Sequence, residues 1–217
     1  MTSQESVSCF FFQLILWSFQ TVKKIIDFDF LILMANSFGL ALLAATLCVS
    51  FSVIILFAVK VNKTQFFNLL AKFASLGYSI PGAVIAIGIM IPLLGLDKFL
   101  INTWEESFNM KIGLIFSSTI FALTFAYIVR GDSIDEASYS LGAGSFKTLI
   151  KVNLPLIKSA LISGGILVFV DILKELPLTL ILRPFNFHTL ATKAYELASD
   201  EMIAESATPS LIIIVIG

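Results

Sequence analysis

The feature that most constrains this chain is the apolar run over residues 30–59, which contains no charged side chain. A helix needs about 20 mostly apolar residues to cross the hydrocarbon core of a bilayer. The chain of 217 residues is 58% hydrophobic and 13% charged, whereas soluble domains average about 45–50% apolar and about 25% charged residues. A water-soluble domain of this size could not bury so many large apolar side chains. The sequence therefore predicts a membrane protein.

Six apolar runs are candidates for membrane-spanning helices. They cover residues 7–19, 30–59, 76–96, 112–128, 156–173 and 207–217. The last run is only about half a crossing long, so we treat the chain as a fragment that stops inside a helix. We expect an all-α, polytopic membrane helix bundle of about six spans with the last one truncated. Residues 1–217 then form a single transmembrane domain.

The charges of the polar connections predict the orientation of the bundle. By the positive-inside rule, connections rich in Lys and Arg face the cytoplasm. This places Arg130 on the cytoplasmic side and the end of the fifth run on the outer side. Lys23 and Lys24 also fall on the outer side, which runs against the rule. The inner connections carry seven basic residues and the two longer outer ones carry four: Lys60, Lys63, Lys72, Arg130, Lys147, Lys151 and Lys158 inside, and Lys98, Lys111, Arg183 and Lys193 outside. The net charge of −1 gives no basic surface for nucleic acid.

The polar stretch over residues 131–156 carries the strongest local signals. Ser133 and Glu136 have the spacing of a capping box, which predicts that a short helix begins there. Gly142 can end that helix, and a second short helix can follow before Pro155. The pattern predicts a helix, a glycine turn and a helix on the cytoplasmic side. A soluble partner can cover the first helix, or the helix can rest on the lipid headgroups.

Enzymatic chemistry is not predicted for this chain. The segment GAGSFKT over residues 142–148 differs from a phosphate-binding loop, because Phe146 stands where that loop requires glycine and no strand precedes it. Any ATP must therefore be hydrolysed by another subunit. No pairing of a nucleophile with a base can be assembled at membrane depth. Cys9 and Cys48 lie in apolar stretches and are interpreted as small hydrophobic residues.

The stretch over residues 131–155 resembles the cytoplasmic coupling loop of ABC importer permeases, whose pattern is E-A-A-x3-G-x9-I-x-L-P. Ser138 stands for the second Ala and Val152 for the Ile, and the spacing is kept. The matching residues are Glu136, Ala137, Ser138, Gly142, Val152, Leu154 and Pro155. The resemblance implies a coupling helix that binds in a cleft of an ABC ATPase subunit. It also implies that ATP is bound by that partner and that this chain binds no cofactor directly.

Two further segments resemble the ferric iron permeases of binding-protein-dependent importers. They are residues 75–92 (SLGYSIPGAVIAIGIMIP) and residues 168–201. With the coupling loop, the resemblance covers about half of the chain. It implies the carboxy-terminal half of a type I ABC importer permease in the bacterial inner membrane. The implied partners are an amino-terminal permease half, an ABC ATPase, a periplasmic ferric-binding protein and the lipid bilayer. Between Arg130 and Asp135 the family has on the order of twenty more residues, which as helix would extend about 30 Å.

The charged residues at the end of the fifth run have two interpretations. Asp171 can pair with Lys174 at i+3 or face Glu175 at i+4, and Pro177 is expected to break the helix. These four residues can form a gate or line a pathway near the outer mouth, because charges at membrane depth are costly and often functional. The alternative, which the position at the end of the run favours, is an interfacial ion pair that anchors the end of the helix.

The outer connection that follows is acidic. Its side chains can dock a binding protein or attract cations, but such a run is more often a solvated helix face. The residues concerned are Tyr195, Glu196, Asp200, Glu201 and Glu205. His188 has no ligand at metal-binding spacing beside it, so no metal site is predicted there. Gly164 and Gly165 indicate close packing of helices.

The sequence thus predicts the permease subunit of an ATP-driven importer that moves Fe3+ and is not itself an enzyme. The alternative is a subunit of a secondary transporter or channel, which would need ionisable groups within the membrane. The cluster at Asp171 is the one candidate for such groups.

Overall fold

The structure is a computed structural model that describes residues 3–61, 80–108, 114–117, 119–130 and 154–217. These residues form helices, with no β-strand among them, which confirms the predicted all-α fold. The helices are α1 (Ser3–Ile25), α2 (Phe28–Val61), α3 (Gly82–Phe108), α4 (Ile120–Arg130), α5 (Leu154–Lys174), α6 (Pro177–Leu182), α7 (Leu190–Ser199) and α8 (Ile203–Ile216).

Within the described ranges, two helices are long and apolar enough to cross a membrane by their length and composition. They are the stretches Phe28–Ile54 of α2 and Gly82–Glu105 of α3. Helices α4 and α8 are apolar but shorter. The predicted first run lies inside the longer helix α1, and the sixth run overlaps α8, which begins at Ile203 and ends at Ile216. These helices are consistent with the predicted membrane bundle.

The fourth predicted run, residues 112–128, is wrong at its start. Residues 114–117 are not helical, and α4 begins only at Ile120. The cause is Asp97 of α3, whose fully buried carboxylate accepts the backbone N–H groups of Ile115, Phe116 and Ser117 at 3.1, 2.9 and 2.7 Å. These donors bind a side chain instead of starting a helix. The resulting α4 has 11 residues, or about 16 Å of helix, which is too short to cross a bilayer alone.

The core lies where α2 to α6 meet, and small side chains allow the helices to approach closely. Ala41, Ala44, Ala86 and Ala126 are completely buried there. The predicted close packing at Gly165 is observed, because a Cβ at this position would lie 3.2 Å from Val49 Cγ2 of α2. Small residues at helix interfaces are typical of membrane bundles.

Large apolar side chains cover much of the outer surface of the bundle. Phe12, Phe28 and Leu167 are each at least two-thirds exposed. Extensive apolar surface on a soluble monomer would be unusual, whereas lipid chains cover such a surface readily. The exposure of these large apolar side chains therefore agrees with the membrane environment predicted from composition.

Candidate functional site: the junction of α3, α4, α5 and α6

The break between α5 and α6 positions the most deeply buried charge of the predicted pathway cluster. Helix α5 ends at Lys174, and Pro177 is the first residue of α6. Proline lacks an N–H group and suits the first position of a helix. The prediction that Pro177 breaks the helix is thus confirmed. Glu175 lies in the break itself.

Glu175 forms an ion pair with Arg130, the last residue of α4. The Glu175 side chain is 9% exposed and the Arg130 side chain 25% exposed. Glu175 Oε1 also accepts the backbone N–H of Leu178 in the first turn of α6, at 3.4 Å. The carboxylate therefore connects α4 to the start of α6.

Gly82, the first residue of α3, lies against this ion pair. A Cβ built at Gly82 would overlap Glu175 Oε1 and would lie 3.2 Å from Arg130 Nη1. The ion pair thus occupies space that any other residue type at position 82 would fill. We call Gly82, Arg130 and Glu175, together with Tyr127 and Thr179, the α4–α6 junction.

A second polar contact joins α4 to α6 within the junction. Tyr127 is 2% exposed, and its hydroxyl lies 2.5 Å from Thr179 Oγ1. The Thr179 hydroxyl donates to the backbone carbonyl of Glu175 at 2.9 Å. Since a hydroxyl carries one proton, Tyr127 is the donor to Thr179. The chain of hydrogen bonds ends on the same residue that holds Arg130.

Asp171 and Lys174 are separate from this junction. Their side chains pair with each other at 2.7 Å and are 33% and 59% exposed. The predicted i+3 pairing is therefore observed, and Glu175 pairs with Arg130. The exposed pair fits the anchoring interpretation, and Glu175 is a buried charge of a different kind.

The ion pair brings together Arg130 and Glu175, which the charge counts placed on opposite sides of the membrane; the orientation of the bundle stays a prediction. That prediction placed Arg130 on the inner side and Glu175 near the outer mouth, but two side chains in contact share one depth. Opposite surfaces would separate them by about 30 Å of hydrocarbon. The counting rule assigns each connection to a surface and cannot detect that α4 is short. The sequence did not predict Arg130, Tyr127, Thr179 or Gly82 as site residues. The available signal was one Arg and one Glu, each at the end of an apolar run.

Most of the predicted ATPase-coupling residues lie outside the described residues, namely Glu136, Ala137, Ser138, Gly142 and Val152. Leu154 and Pro155 form the start of α5. The described structure therefore gives the two ends between which the coupling loop runs. These ends are Arg130 of α4 and Leu154 of α5.

The acidic outer residues are distributed between ion pairs and solvent. Glu196 Oε1 lies 2.9 Å from Arg183 Nη2 and 3.1 Å from His188 Nδ1, so α7 supplies a carboxylate that local spacing around His188 did not reveal. Glu205 pairs with Lys24 of α1 at 2.9 Å. The remaining three residues are exposed, namely Tyr195, Asp200 and Glu201.

An open pocket of about 510 Å³ lies beside these residues, with Asp27, Asn36, His188 and Glu205 in its lining. Across the described ranges, no three His, Cys, Asp or Glu side chains are grouped closely enough to hold a metal ion.

Comparison with known proteins gives two curated relatives, while no protein-family model matches the chain. The Fe(3+)-transport system permease protein FbpB 2 of Haemophilus influenzae is 26% identical over 188 residues, which are 87% of this chain and 37% of that protein. The probable transport system permease protein NifC of Clostridium pasteurianum is 37% identical over 86 residues, which are 33% of this chain and 30% of that protein. The chain thus spans about a third of the length of the curated relatives it matches. The chain is similar to these two transport system permeases, which agrees with the resemblance to ferric iron permeases drawn from its motifs.

Proposed function

We propose that this chain is the carboxy-terminal half of a permease in an ATP-driven importer, and that the importer moves Fe3+ delivered by a periplasmic binding protein. The observation that carries the proposal is the similarity to a Fe(3+)-transport system permease over 87% of this chain. The all-helical fold, the exposed apolar surface and the two long apolar helices support it.

The proposed permease acts by changing conformation and performs no covalent chemistry. An ABC ATPase binds the coupling loop over residues 131–155 and holds the ATP. Binding can shift the permease between outward-facing and inward-facing states only if the ATPase has different affinities for the two states. The loop residues Glu136 and Gly142 supply the contact through which that difference acts.

A secondary transporter or channel is the second candidate, and the buried ion pair of Arg130 and Glu175 is the observation that favours it. Ionisable groups inside a helix bundle are frequent in ion relays. The two candidates differ in their energy source. An importer needs ATP hydrolysis by a partner, whereas a secondary transporter needs an ion gradient.

The direct test reconstitutes the chain with its amino-terminal permease half, the neighbouring ATPase and the binding protein in proteoliposomes. We expect uptake of radioactive iron that requires ATP and is abolished by an ATPase subunit unable to hydrolyse it. Uptake that follows an imposed ion gradient without ATP would favour the second candidate.

A substitution in the coupling loop tests the partner contact separately. Glu136→Lys reverses a charge on the proposed docking helix, so we expect normal membrane insertion with weakened copurification of the ATPase. Lys158→Glu reverses a charge on an exposed residue of α5 outside the loop and is the matched control. Equal copurification of the ATPase with both variants would contradict the proposed contact.

A further inference from the structure

The open pocket of about 510 Å³ lies apart from the α4–α6 junction and shares no lining residue with it. Its lining comes from the end of α1, the start of α2, the segment between α6 and α7, helix α7 and the start of α8. Its volume falls in the range of about 300–1,000 Å³ that is usual for small-ligand sites. The lining combines apolar side chains with charged ones of both signs, and the charged ones are Lys24, Asp27, Asp29, Lys193 and Glu205.

A carboxylate and an ammonium group in this pocket are available to a ligand. Lys24 and Glu205 already form an ion pair at 2.9 Å. The Asp29 side chain has no ion pair or hydrogen bond within the described part of the chain. Lys193 Nζ lies 3.9 Å from Glu196 Oε2, which is beyond hydrogen-bond distance. The pocket therefore presents opposite charges that the protein itself does not neutralise.

The pocket lies where the membrane-crossing part of α2 begins. That stretch starts at Phe28, and Asp29 is in its first turn. Asp27 caps the helix, because its Oδ1 accepts the backbone N–H of Phe30 at 2.8 Å. Ile32 lines the pocket, is exposed, and lies about one turn further into the apolar stretch. Since polar headgroups border the hydrocarbon core of a bilayer, the charged groups of the pocket are at headgroup level and Ile32 is at the level of the first acyl carbons.

We propose that this pocket binds a phosphoethanolamine group, the headgroup of a membrane phospholipid. The Asp29 carboxylate accepts N–H groups of the ligand's ammonium, and the Lys193 ammonium pairs with its phosphate. A ligand that carries one charge only would leave either Asp29 or Lys193 without a partner. A primary ammonium has three N–H donors, whereas the quaternary ammonium of choline has none. The pocket should therefore distinguish phosphatidylethanolamine from phosphatidylcholine.

The test places the full chain in nanodiscs that contain equal amounts of these two lipids. Native mass spectrometry then counts each lipid that the chain retains after release from the nanodiscs. We expect phosphatidylethanolamine to be retained about tenfold over phosphatidylcholine, the effect of one hydrogen bond to a charged group. Equal retention of the two lipids by the wild-type chain would overturn the proposal.

Substitution of Asp29 tests recognition of the ammonium. Asp29→Asn should lower the retention ratio to about one, because the amide does not carry the charge that attracts the ammonium. Asp200→Asn is the matched control, since Asp200 is exposed and does not line the pocket. Asp29 is also exposed, so its substitution should leave the fold intact. A wild-type ratio in Asp29→Asn would overturn the proposal.

Substitution of Lys193 tests recognition of the phosphate. Both lipids carry a phosphate, so Lys193→Gln should lower the retention of both and change their ratio little. Lys98→Gln, at an exposed position of α3 outside the pocket, should retain both lipids as the wild type does. Equal retention by the two lysine variants would contradict the role of Lys193.

Glycerophosphoethanolamine distinguishes a lipid from a soluble ligand, because it has the same headgroup without acyl chains. We expect it to displace the lipid only at a higher concentration than the lipid itself, since it cannot cover the apolar surface at Ile32. Displacement at an equal concentration would support the same headgroup site and assign it to a soluble compound. None of these measurements requires transport, so their failure would leave the proposed function intact.

Discussion

Among the described residues, the Arg130–Glu175 and Lys24–Glu205 ion pairs join distant parts of the chain, and their surroundings differ. Arg130 and Glu175 meet inside the bundle with side chains that are 25% and 9% exposed. Lys24 and Glu205 meet at its edge, where the lysine side chain is 68% exposed. Both pairs link residues far apart in sequence. From this difference in burial we expect the two pairs to contribute unequally to stability.

The physical reason is the cost of an unpaired charge. Water solvates an exposed charge whether or not its partner is present, so surface pairs contribute about 0–1 kcal/mol. A buried charge has no such alternative, and removal of its partner typically costs about 3–5 kcal/mol. The α4–α6 junction should therefore be sensitive to single substitutions, and the edge pair should tolerate them.

The largest effect is expected for Arg130→Gln. It leaves the Glu175 carboxylate buried without a cation, and we expect a loss of about 3–5 kcal/mol in the free energy of unfolding. Denaturant unfolding in detergent micelles measures it. Lys174→Gln is the control, because it removes the same type of pairing at an exposed site and should cost about 1 kcal/mol or less. Similar losses of unfolding free energy in both variants would contradict the expected difference between buried and exposed ion pairs.

Gly82→Ala should have the next largest effect on stability. Forcing an extra methyl group into an occupied space costs about 1–3 kcal/mol, and here the space is taken by the Glu175 carboxylate. Gly88→Ala should be neutral or slightly stabilising, since alanine favours a helix more than glycine does. The unfolding midpoints of the two variants measure the difference. An unchanged midpoint for Gly82→Ala would show that the junction can accommodate the added methyl group.

Tyr127→Phe tests the hydrogen-bonded part of the junction. It removes the donor to Thr179 but leaves the bond from Thr179 to the Glu175 carbonyl. Single hydrogen bonds between membrane helices contribute about 0.6 kcal/mol on average, and we expect a loss of that size in the unfolding free energy. A loss as large as that of Arg130→Gln would place the main stabilising contact at Tyr127 instead.

The smallest effect is expected for Lys24→Gln. The ammonium group is largely in solvent, so the substitution should leave the unfolding midpoint within experimental error of the wild type. High salt should likewise change the wild-type midpoint little through this pair, because an exposed ion pair contributes only about 0–1 kcal/mol that salt can remove. A clear destabilisation would mean that the edge of α1 and α8 depends on charge as the junction does.

Sequence patterns predicted the parts of this molecule that depend on local chemistry. Apolar runs located α1, α2, α3, α5 and α8 approximately. Pro177 located the break after α5, and the i+3 spacing paired Asp171 with Lys174. The delayed start of α4 depends on Asp97 of another helix. The contact of Arg130 with Glu175 likewise depends on how helices pack. Local spacing in the sequence contains no information about either of these contacts. The importance of Gly82 likewise depends on the packing of α3 against the ion pair.

The most direct measurement is a pair of double-mutant cycles in detergent micelles, one for Arg130 with Glu175 and one for Asp171 with Lys174. Neighbouring residues in such cycles show interaction energies of about 0.5–3 kcal/mol. We predict a value near the upper end of that range for the buried pair and one near zero for the exposed pair. Equal interaction energies in the two cycles would contradict the claim that the buried junction holds α4 to α6.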